Sequence, residues 1–214
     1  MSAIMGSIPT NHTEREVSNG FRQFDKCLEL VAYYLDPERP FRLRPSLIDE
    51  LQREAVEGIE ESAGQIRRVE VRISQSRHTP PSPWLVEAMV RELCDYINEN
   101  WHERNAFHLA SYAMWRLNWI HPYTDGNGRT ARALSYMLLC LKVGYQLPGA
   151  PTIPQQIEED KSHYLEALEA ADKAALGGQV DLRNMEDMLK GMLAKQLLGV
   201  LKKAGAVFEA SLSV

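Results

Sequence analysis

The sequence predicts an all-α domain that carries one short β-hairpin. Apolar residues recur every three to four positions in seven segments, which is the spacing of a helix with one face toward a core. Only one segment alternates apolar and polar residues with the period of a strand. With 214 residues, of which 44% are hydrophobic and 25% charged, the chain is long enough to bury one substantial core.

Two helices are predicted before the strand-like segment. The first spans residues 21–35 and ends at the prolines that follow, because proline removes a backbone donor and breaks a helix. The second begins at Ser46, a suitable N-cap, and ends near Gly58 or near Gly64. We therefore predict that residues 1–45 form an N-terminal helical extension.

The strand-like segment is QIRRVEVRISQ, residues 65–75. Its apolar residues are separated by charged ones and comprise Ile66, Val69, Val71 and Ile73. The unpaired edge of such a hairpin would accept a peptide by strand addition, or the hairpin would only cap the core; the sequence alone favours neither. The prolines of residues 78–83 then predict a loop.

Five more helices are predicted after that loop. They cover residues 84–97, 106–119, a segment that ends at Gly144, 158–176 and 181–204. The helix before Gly144 is apolar on nearly every side, as expected at the centre of a bundle. We assign residues 46–180 to the core and residues 181–214 to a C-terminal amphipathic helix packed on it, whose methionine-rich face would also suit a homodimer.

Composition excludes several classes of protein. The net charge of -5 and the absence of a clustered basic surface argue against nucleic-acid binding. The one local basic run, Arg67, Arg68, Arg72 and Arg77, is interrupted by Glu70 and is typical of a solvated face.

No segment approaches the ~20 apolar residues of a membrane span, and the N-terminus lacks a signal-peptide pattern. The three cysteines are widely spaced in apolar segments, which indicates small buried residues rather than disulfides. We expect a cytoplasmic protein, although delivery to another cell without a cleaved signal would leave no trace in the sequence.

One loop, HPYTDGNGRTAR at residues 121–132, contains the residues that predict a function. It lies between two predicted helices, so the amides that begin the second helix have no intrahelical partner and form an anion site. Gly126 and Gly128 predict positive φ angles and a close approach of backbone to ligand. Arg129 and Arg132 lie three residues apart on one helix face, where both guanidinium groups would bind phosphate oxygens.

The other polar residues of the loop extend this interpretation. Asn127 supplies an amide donor, and Asp125 can supply an oxygen ligand to a Mg²⁺ ion that also binds the phosphates, since one or two protein carboxylates are usual for that ion. His121 would accept a proton near neutral pH and so act as general base toward an attacking hydroxyl. Tyr123 is predicted to anchor its ring in the core. The GxxxxGK[ST] phosphate loop and the GxGxxG dinucleotide fingerprint are both absent.

The loop resembles the signature of the Fic family, HPFx(D/E)GNGRxxR, with Tyr123 where Phe is usual. Residues 63–81, AGQIRRVEVRISQSRHTPP, are similar to the hairpin "flap" of that family, and the resemblance covers roughly residues 46–175. It implies a helical bundle with a small β-hairpin flap beside the active site. It also implies transfer of AMP from ATP to a Ser, Thr or Tyr hydroxyl of a target protein, with release of pyrophosphate.

The resemblance also assigns roles to residues. His121 would be the base, Asp125 the Mg²⁺ ligand, and Asn127 a contact of the α-phosphate region. Gly126 and Gly128 would form the amide nest, and Arg129 and Arg132 would bind the β- and γ-phosphates. The flap residues Ile66, Val69, Val71 and Ile73 would align the target segment.

Gly128 favours adenylylation, because relatives resembling Doc, which phosphorylate their targets, carry Lys there. Another nucleotide donor, removal of AMP from a target, and a non-catalytic nucleotide-binding scaffold remain alternatives.

Regulation is also implied by the resemblance. Many family members carry an inhibitory helix with the pattern (S/T)xxxE(G/N), whose Glu pairs with the second arginine of the signature. Here Ser46 and Glu50 have the spacing but are followed by Leu51, while Glu57 is followed by Gly58 but preceded at the required place by Arg53. We therefore expect no inhibitory helix of this kind within the chain, which leaves a separate inhibitory protein or no inhibition.

Overall fold

The computed structural model describes residues 12–74, 76 and 78–212, with side chains up to residue 201. In this part of the chain eight helices follow one another: α1 (His12–Tyr34), α2 (Pro45–Val56), α3 (Pro83–Glu99), α4 (Ala106–Ile120), α5 (Asn127–Val143), α6 (Ile153–Glu159), α7 (Ser162–Leu176) and α8 (Arg183–Leu212). The all-α prediction is therefore confirmed, whereas the boundaries predicted for the core and its extensions stay a prediction.

Helix α5 lies at the centre of the bundle. It packs against α1, α2, α4 and α6. From Thr130 to Leu141 every residue of α5 is buried, because the sequence there is apolar on almost all sides. The predicted central helix is thus confirmed. Its first turn, which contains the second half of the motif, is held in place by the helices around it.

Several predicted boundaries are wrong. Helix α8 extends to Leu212 rather than to residue 204, and the N-cap of α2 is Arg44 rather than Ser46. Helix α1 begins at His12 rather than at residue 21. The helix predicted for residues 158–176 is divided into α6 and α7, which are separated by residues 160 and 161. The side chain of Gln155 accepts a hydrogen bond from the Thr152 backbone N–H at 2.8 Å, and Pro154 lies in the first turn of α6. These features begin a helix, in a segment before residue 158 for which no helix was predicted.

The strand-like segment forms no strand among the described residues. Residues 65–73 lie outside every helix, and the backbone N–H of Arg67 donates to the Pro122 carbonyl at 2.8 Å. A β-ladder needs a second row of backbone partners, and Gln75 and Arg77, on the expected return arm, lie outside the described residues. The hairpin prediction is therefore not confirmed.

Helix α8 packs on α4, α6 and α7. Its Met185 and Leu189 are buried, and Gln196, also buried, donates to the Tyr136 hydroxyl at 3.0 Å and accepts from the Ile153 N–H at 3.1 Å. The three cysteines are buried and free, as predicted. Within the described ranges, no helix has both the length and the apolar character needed to cross a bilayer.

Candidate active site

The motif loop connects the end of α4 to the start of α5 through two left-handed residues. His121 caps α4 with φ 51° and ψ 59°, and its backbone N–H donates to the Leu117 carbonyl at 2.9 Å. Gly126 caps α5 with φ 77°. His121 is the only non-glycine residue with positive φ among the described residues. Such a conformation costs about 1–3 kcal/mol and persists only where surrounding contacts impose it.

The imidazole of His121 is arranged as a neutral base. Its Nδ1 lies 3.4 Å from the Asn118 carbonyl oxygen, which can only accept, so Nδ1 carries the proton and Nε2 is left to accept one. Burial lowers the pKa of His121 to about 4, and the nearby charges of Arg67 and His78 contribute in the same direction. The side chain is therefore uncharged at neutral pH, as a general base must be.

Arg67 fixes the backbone around His121. Its side chain is buried, and three of its nitrogens donate to carbonyl oxygens: Nε to His121 at 2.7 Å, Nη1 to Val69 at 2.9 Å, and Nη2 to Pro81 at 2.7 Å and Ile120 at 3.4 Å. The reading of Arg67 as part of a solvated basic face is wrong. A guanidinium with five donors is suited to the unpaired carbonyls at a helix C-terminus.

Tyr123 and Asn127 hold the middle of the loop. The Asn127 carboxamide accepts from the Tyr123 N–H at 2.9 Å and donates to the Tyr123 carbonyl at 2.8 Å. The Tyr123 ring is fully buried, which confirms the predicted core anchor, and its hydroxyl donates to Asp49 Oδ1 at 2.7 Å. Asn127 thus stabilises the loop, while its predicted contact with the α-phosphate stays a prediction.

The two glycines of the loop have different functions. Gly126 has the predicted positive φ, and a Cβ there would lie 2.8 Å from Val56 Cγ1. Gly128 lies in the first turn of α5 without a positive φ, so that part of the prediction is wrong. A Cβ on Gly128 would lie 3.4 Å from Arg132 Nη1. Gly126 is therefore required by backbone geometry, whereas Gly128 leaves space beside a cavity arginine.

A cavity of about 700 Å³ lies in front of the loop. It has the size of a small-molecule pocket. Loop residues that line it include His121, Asp125, Gly126, Asn127, Gly128, Arg129 and Arg132, and α1 and the α6–α7 region form other walls. The structure thus brings all of the motif residues that we predicted to contact nucleotide into one cavity.

The two cavity arginines are each paired with a carboxylate. Arg129 donates to Asp125 Oδ2 at 2.8 Å and to the Ala55 carbonyl at 2.9 Å. Arg132 Nη2 lies 2.5 Å from Glu158 Oε2. Both guanidinium groups therefore already bind anionic oxygen, the chemistry that phosphate recognition uses.

Asp125 fits the predicted role in binding Mg²⁺. Its side chain is 45% exposed and lies on the cavity wall. No group of three or more metal-ligating side chains occurs within the described parts of the chain. One protein carboxylate that shares the ion with nucleotide phosphates is the arrangement that Mg²⁺ usually adopts, so the residues present fit this ion.

The predicted flap residues are not brought into the cavity wall. Ile66 packs partly against the core, and the side chain of Val69 is 57% exposed. Val71 and Ile73 are half-buried. The segment is attached beside His121 through Arg67, and its predicted role in aligning a target stays a prediction.

Neither Glu50 nor Glu57 is paired with a cavity arginine. Glu50 lies 3.6 Å from Lys26 Nζ, and the backbone carbonyl of Glu57 accepts from Asn19 at 2.9 Å. The carboxylate beside Arg132 belongs to Glu158, on α6. The expectation that the chain has no inhibitory helix of the usual kind stays a prediction.

Comparison with known proteins identifies a family that matches this sequence. The Fic/DOC family matches residues 42–139, a range that runs from the residues before α2 through most of α5. Residues 42–139 form a domain of the Fic/DOC family.

Relatives named for this domain support the match. Protein adenylyltransferase Fic of Drosophila grimshawi is 28% identical over 151 residues, which are 68% of this chain and 30% of that protein. Protein adenylyltransferase fic-1 of Caenorhabditis elegans is 37% identical over 103 residues, which are 48% of this chain and 19% of that protein. The chain thus spans less than a third of the length of these two relatives.

The fold agrees with solved Fic structures. A fragment of Fic-1 from C. elegans superposes with a TM-score of 0.68 at 26% identity, over 93% of this chain and 56% of the fragment. A Fic family protein from Desulfovibrio desulfuricans gives a TM-score of 0.67 at 20% identity over 92% of this chain and 56% of that one. The helical fold is therefore that of Fic domains.

Sequence reasoning missed several residues that support the Fic loop. Gln52, which is fully buried, donates to the Asp125 carbonyl at 3.0 Å and accepts from the Gly64 N–H at 2.5 Å. Asp49 and Glu158 were missed as well. The one available signal was that Gln52 is a polar residue on the apolar face of a predicted helix. No local feature of the sequence indicated Glu158.

Proposed function

We propose that this chain is a protein adenylyltransferase, which transfers AMP from ATP to a Ser, Thr or Tyr hydroxyl of a target protein and releases pyrophosphate. One observation carries the proposal: a neutral, backbone-fixed His121 and two arginines line the same cavity, and one loop supplies all three. The names of the relatives support the same activity.

The proposed reaction uses His121 as general base. Nε2 takes the proton of the target hydroxyl as its oxygen forms a bond to the α-phosphorus. The bond from that phosphorus to the bridging oxygen of the β-phosphate breaks, and pyrophosphate leaves with the electron pair. A positioned base typically contributes ~10²–10⁴ in rate. Phosphates bound beside His121 would raise its pKa from about 4 toward neutrality and strengthen it as a base.

The cavity would hold the nucleotide by its phosphates. The first N–H groups of α5 have no intrahelical partner and point toward anions, with the helix dipole. Arg129 and Arg132 would bind the β- and γ-phosphates by exchanging their carboxylate partners for phosphate oxygens. Asp125 would hold Mg²⁺, whose charge offsets that of the phosphates. The absence of a side chain at Gly128 favours the orientation of the nucleotide in which the α-phosphate lies at His121.

The segment of residues 65–73 would align the target. Its side chains Ile66, Val69, Val71 and Ile73 would lie along a target strand that pairs with the flap backbone. Two observations support this role: Arg67 attaches the segment to the carbonyls next to His121, and the Val69 side chain is exposed. The hairpin form of the flap is part of this proposal.

Three further expectations belong to the proposal. The partners would be a target protein with an exposed hydroxyl side chain and, as a regulator, a separate inhibitory protein. The C-terminal helix would also provide the contact face of a homodimer. The chain would act in the cytoplasm of the cell that makes it or of a cell into which it is delivered.

The test compares two labels. The purified chain is incubated with Mg²⁺, a cell extract and ATP labelled on either the α- or the γ-phosphate. We expect protein bands that carry only α-label, a loss of about 10²–10⁴ in labelling rate with His121→Ala, and unchanged labelling with His102→Ala, which replaces an exposed histidine outside the cavity lining.

Each other outcome has a defined meaning. Bands with γ-label would show phosphorylation instead of adenylylation. If the chain binds ATP but no protein becomes labelled, with ATP or with other nucleotides, the chain would instead be a non-catalytic nucleotide-binding scaffold.

A further inference from the structure

Glu158 bridges two cations at the edge of the cavity. Its Oε2 lies 2.5 Å from Arg132 Nη2, and its Oε1 lies 2.9 Å from Lys161 Nζ. All three residues line the cavity. The carboxylate of Glu158 therefore pairs with an arginine of α5 and with a lysine at the start of α7.

The three side chains differ in how freely they can move. The Arg132 side chain is only 10% exposed, whereas Glu158 is 58% exposed and Lys161 is 47% exposed. Glu158 lies near the end of α6, and Lys161 is the residue before α7. Arg132 is thus fixed by its surroundings, whereas the Glu158 side chain can rotate toward solvent.

The carboxylate remains charged when the cavity is open to water. Burial alone would raise the pKa of Glu158, but the hydrogen bond from Lys161 and the charge of Arg132 outweigh it and lower that pKa. An ion pair with a half-exposed partner contributes little net stability. A phosphate carries a larger charge and accepts from both cations with similar geometry, so it would displace Glu158.

We propose that Glu158 occupies the place of a nucleotide phosphate and that Lys161, once released from it, binds the same phosphate as Arg132. The inference rests on the proposed function and extends it. It adds a third cation to the two motif arginines and makes Glu158 a competitor that the nucleotide must displace. Neither residue lies in the motif loop.

A structural role for Lys161 makes a different prediction. If Lys161 only restrains Glu158, then removing the lysine changes the Kd for ATP only in a protein that retains the charged Glu158. If Lys161 contacts phosphate directly, its removal weakens binding whether or not Glu158 is present. The double variant separates the two cases, because it removes the lysine after the acid has been neutralised.

The experiment is isothermal titration of the purified chain with Mg²⁺ and ATP, ADP or AMP. It uses wild type, Glu158→Gln, Lys161→Met and the double variant. The control is Lys173→Met, which removes the same charge from an exposed position near the other end of α7. Thermal melts of each variant check folding, which these exposed side chains should not affect.

We expect Glu158→Gln to lower the Kd for ATP by about threefold to fivefold, since it removes an exposed ion pair that competes with the ligand. Lys161→Met should raise the Kd for ATP by about tenfold in both backgrounds, as expected for a lost hydrogen bond to a charged group. The Kd for AMP, which lacks the terminal phosphates, should change less than twofold in every variant.

Two results would overturn the inference. One is an unchanged Kd for ATP when Lys161→Met is added to Glu158→Gln, and the other is an equal effect of Lys161→Met on ATP and AMP. Failure of the proposed function looks different, because then the wild-type chain binds no ATP at all or transfers no label.

Discussion

The two ends of the motif loop are held by different kinds of contact. At the His121 end, a buried arginine donates to backbone carbonyls, and next to it, in the middle of the loop, a buried asparagine bonds to the Tyr123 backbone. At the α5 end, Arg129 and Arg132 pair with the carboxylates of Asp125 and Glu158, which are 45% and 58% exposed, and Arg129 also donates to one backbone carbonyl, that of Ala55.

This difference separates the geometry that must stay fixed from the groups that must exchange partners. A buried carbonyl that loses its donor costs about 1–3 kcal/mol, so contacts of the first kind persist whatever is bound. Ion pairs with exposed carboxylates contribute about 0–1 kcal/mol, so a phosphate bound as proposed would replace them readily. The position of His121, the proposed base, is therefore fixed by the fold, while the two arginines proposed to bind phosphate are held mainly by weak ion pairs.

The largest effect is expected at Arg67. Arg67→Met removes donors from four carbonyls, and we expect the free energy of unfolding to fall by about 3–5 kcal/mol. Hydrogen exchange should rise first in residues 65–73 and at the end of α4, which Arg67 joins. Urea denaturation and hydrogen exchange measure the two effects.

Arg68→Met is the control for Arg67→Met, because it removes the same charge from an exposed neighbour in the same segment. Its cost should stay below about 0.5 kcal/mol. Equal costs for the two variants would contradict the view that Arg67 fixes the His121 end.

A smaller effect is expected at Gly126. Gly126→Ala forces a side chain into a left-handed residue and places its Cβ 2.8 Å from Val56 Cγ1. Gly144→Ala, at φ 86° but with nothing within 4 Å of the added Cβ, has only the conformational cost. We expect about 1–2 kcal/mol for Gly144→Ala and about 2–5 kcal/mol for Gly126→Ala in urea denaturation. Similar values for both would mean that α2 moves away freely and that the loop is less fixed than proposed.

The hydroxyl of Tyr123 should contribute less again. Tyr123→Phe leaves the partly buried Asp49 without its donor, at a cost of about 1–2 kcal/mol at pH 7. Burial raises the pKa of Asp49 above its usual value. The cost should therefore shrink as the pH falls and Asp49 becomes protonated, since a neutral carboxyl needs less compensation.

Urea denaturation at pH 7 and pH 4.5 measures the Tyr123→Phe cost, with Asp49→Ala and the double variant completing a cycle. A coupling near zero between the two residues would show that the hydroxyl contributes nothing.

The smallest expected effect is that of pH on activity. Because the pKa of His121 is about 4 in the free protein, kcat/KM for α-label transfer should stay level between pH 8 and about pH 5.5 and fall only as the pH approaches 4. A decline centred near pH 6.5 would show that the imidazole titrates as it does in solvent. It would also show that the burial described at this end of the loop is lost in solution.

The low pKa of His121 also predicts how the free energy of unfolding depends on pH. The folded pKa of His121 lies below the unfolded value, so the folded state binds fewer protons between pH 4 and 6.5. Unfolding free energy should therefore fall as the pH drops through that window, and His121→Gln should remove this part of the pH dependence.

Much of the fold could be predicted from the sequence, because it depends on local patterns. Helical spacing predicted seven segments and the buried α5, although it missed the start of α1 and the break between α6 and α7. The motif loop was predictable because its residues are contiguous, and the structure brings all of its proposed nucleotide contacts to one cavity. The ring of Tyr123 is buried as predicted.

Only the tertiary structure decided which residues support that loop. Arg67 lies 54 residues from His121, Asp49 lies 74 residues from Tyr123, and Glu158 lies 26 residues from Arg132. A charged or polar side chain looks the same in a sequence whether it is solvated or buried against carbonyls. The helical packing that places it is a long-range property, so the sequence by itself determined the chemistry of the loop, and the packing determined what holds it and what competes for it.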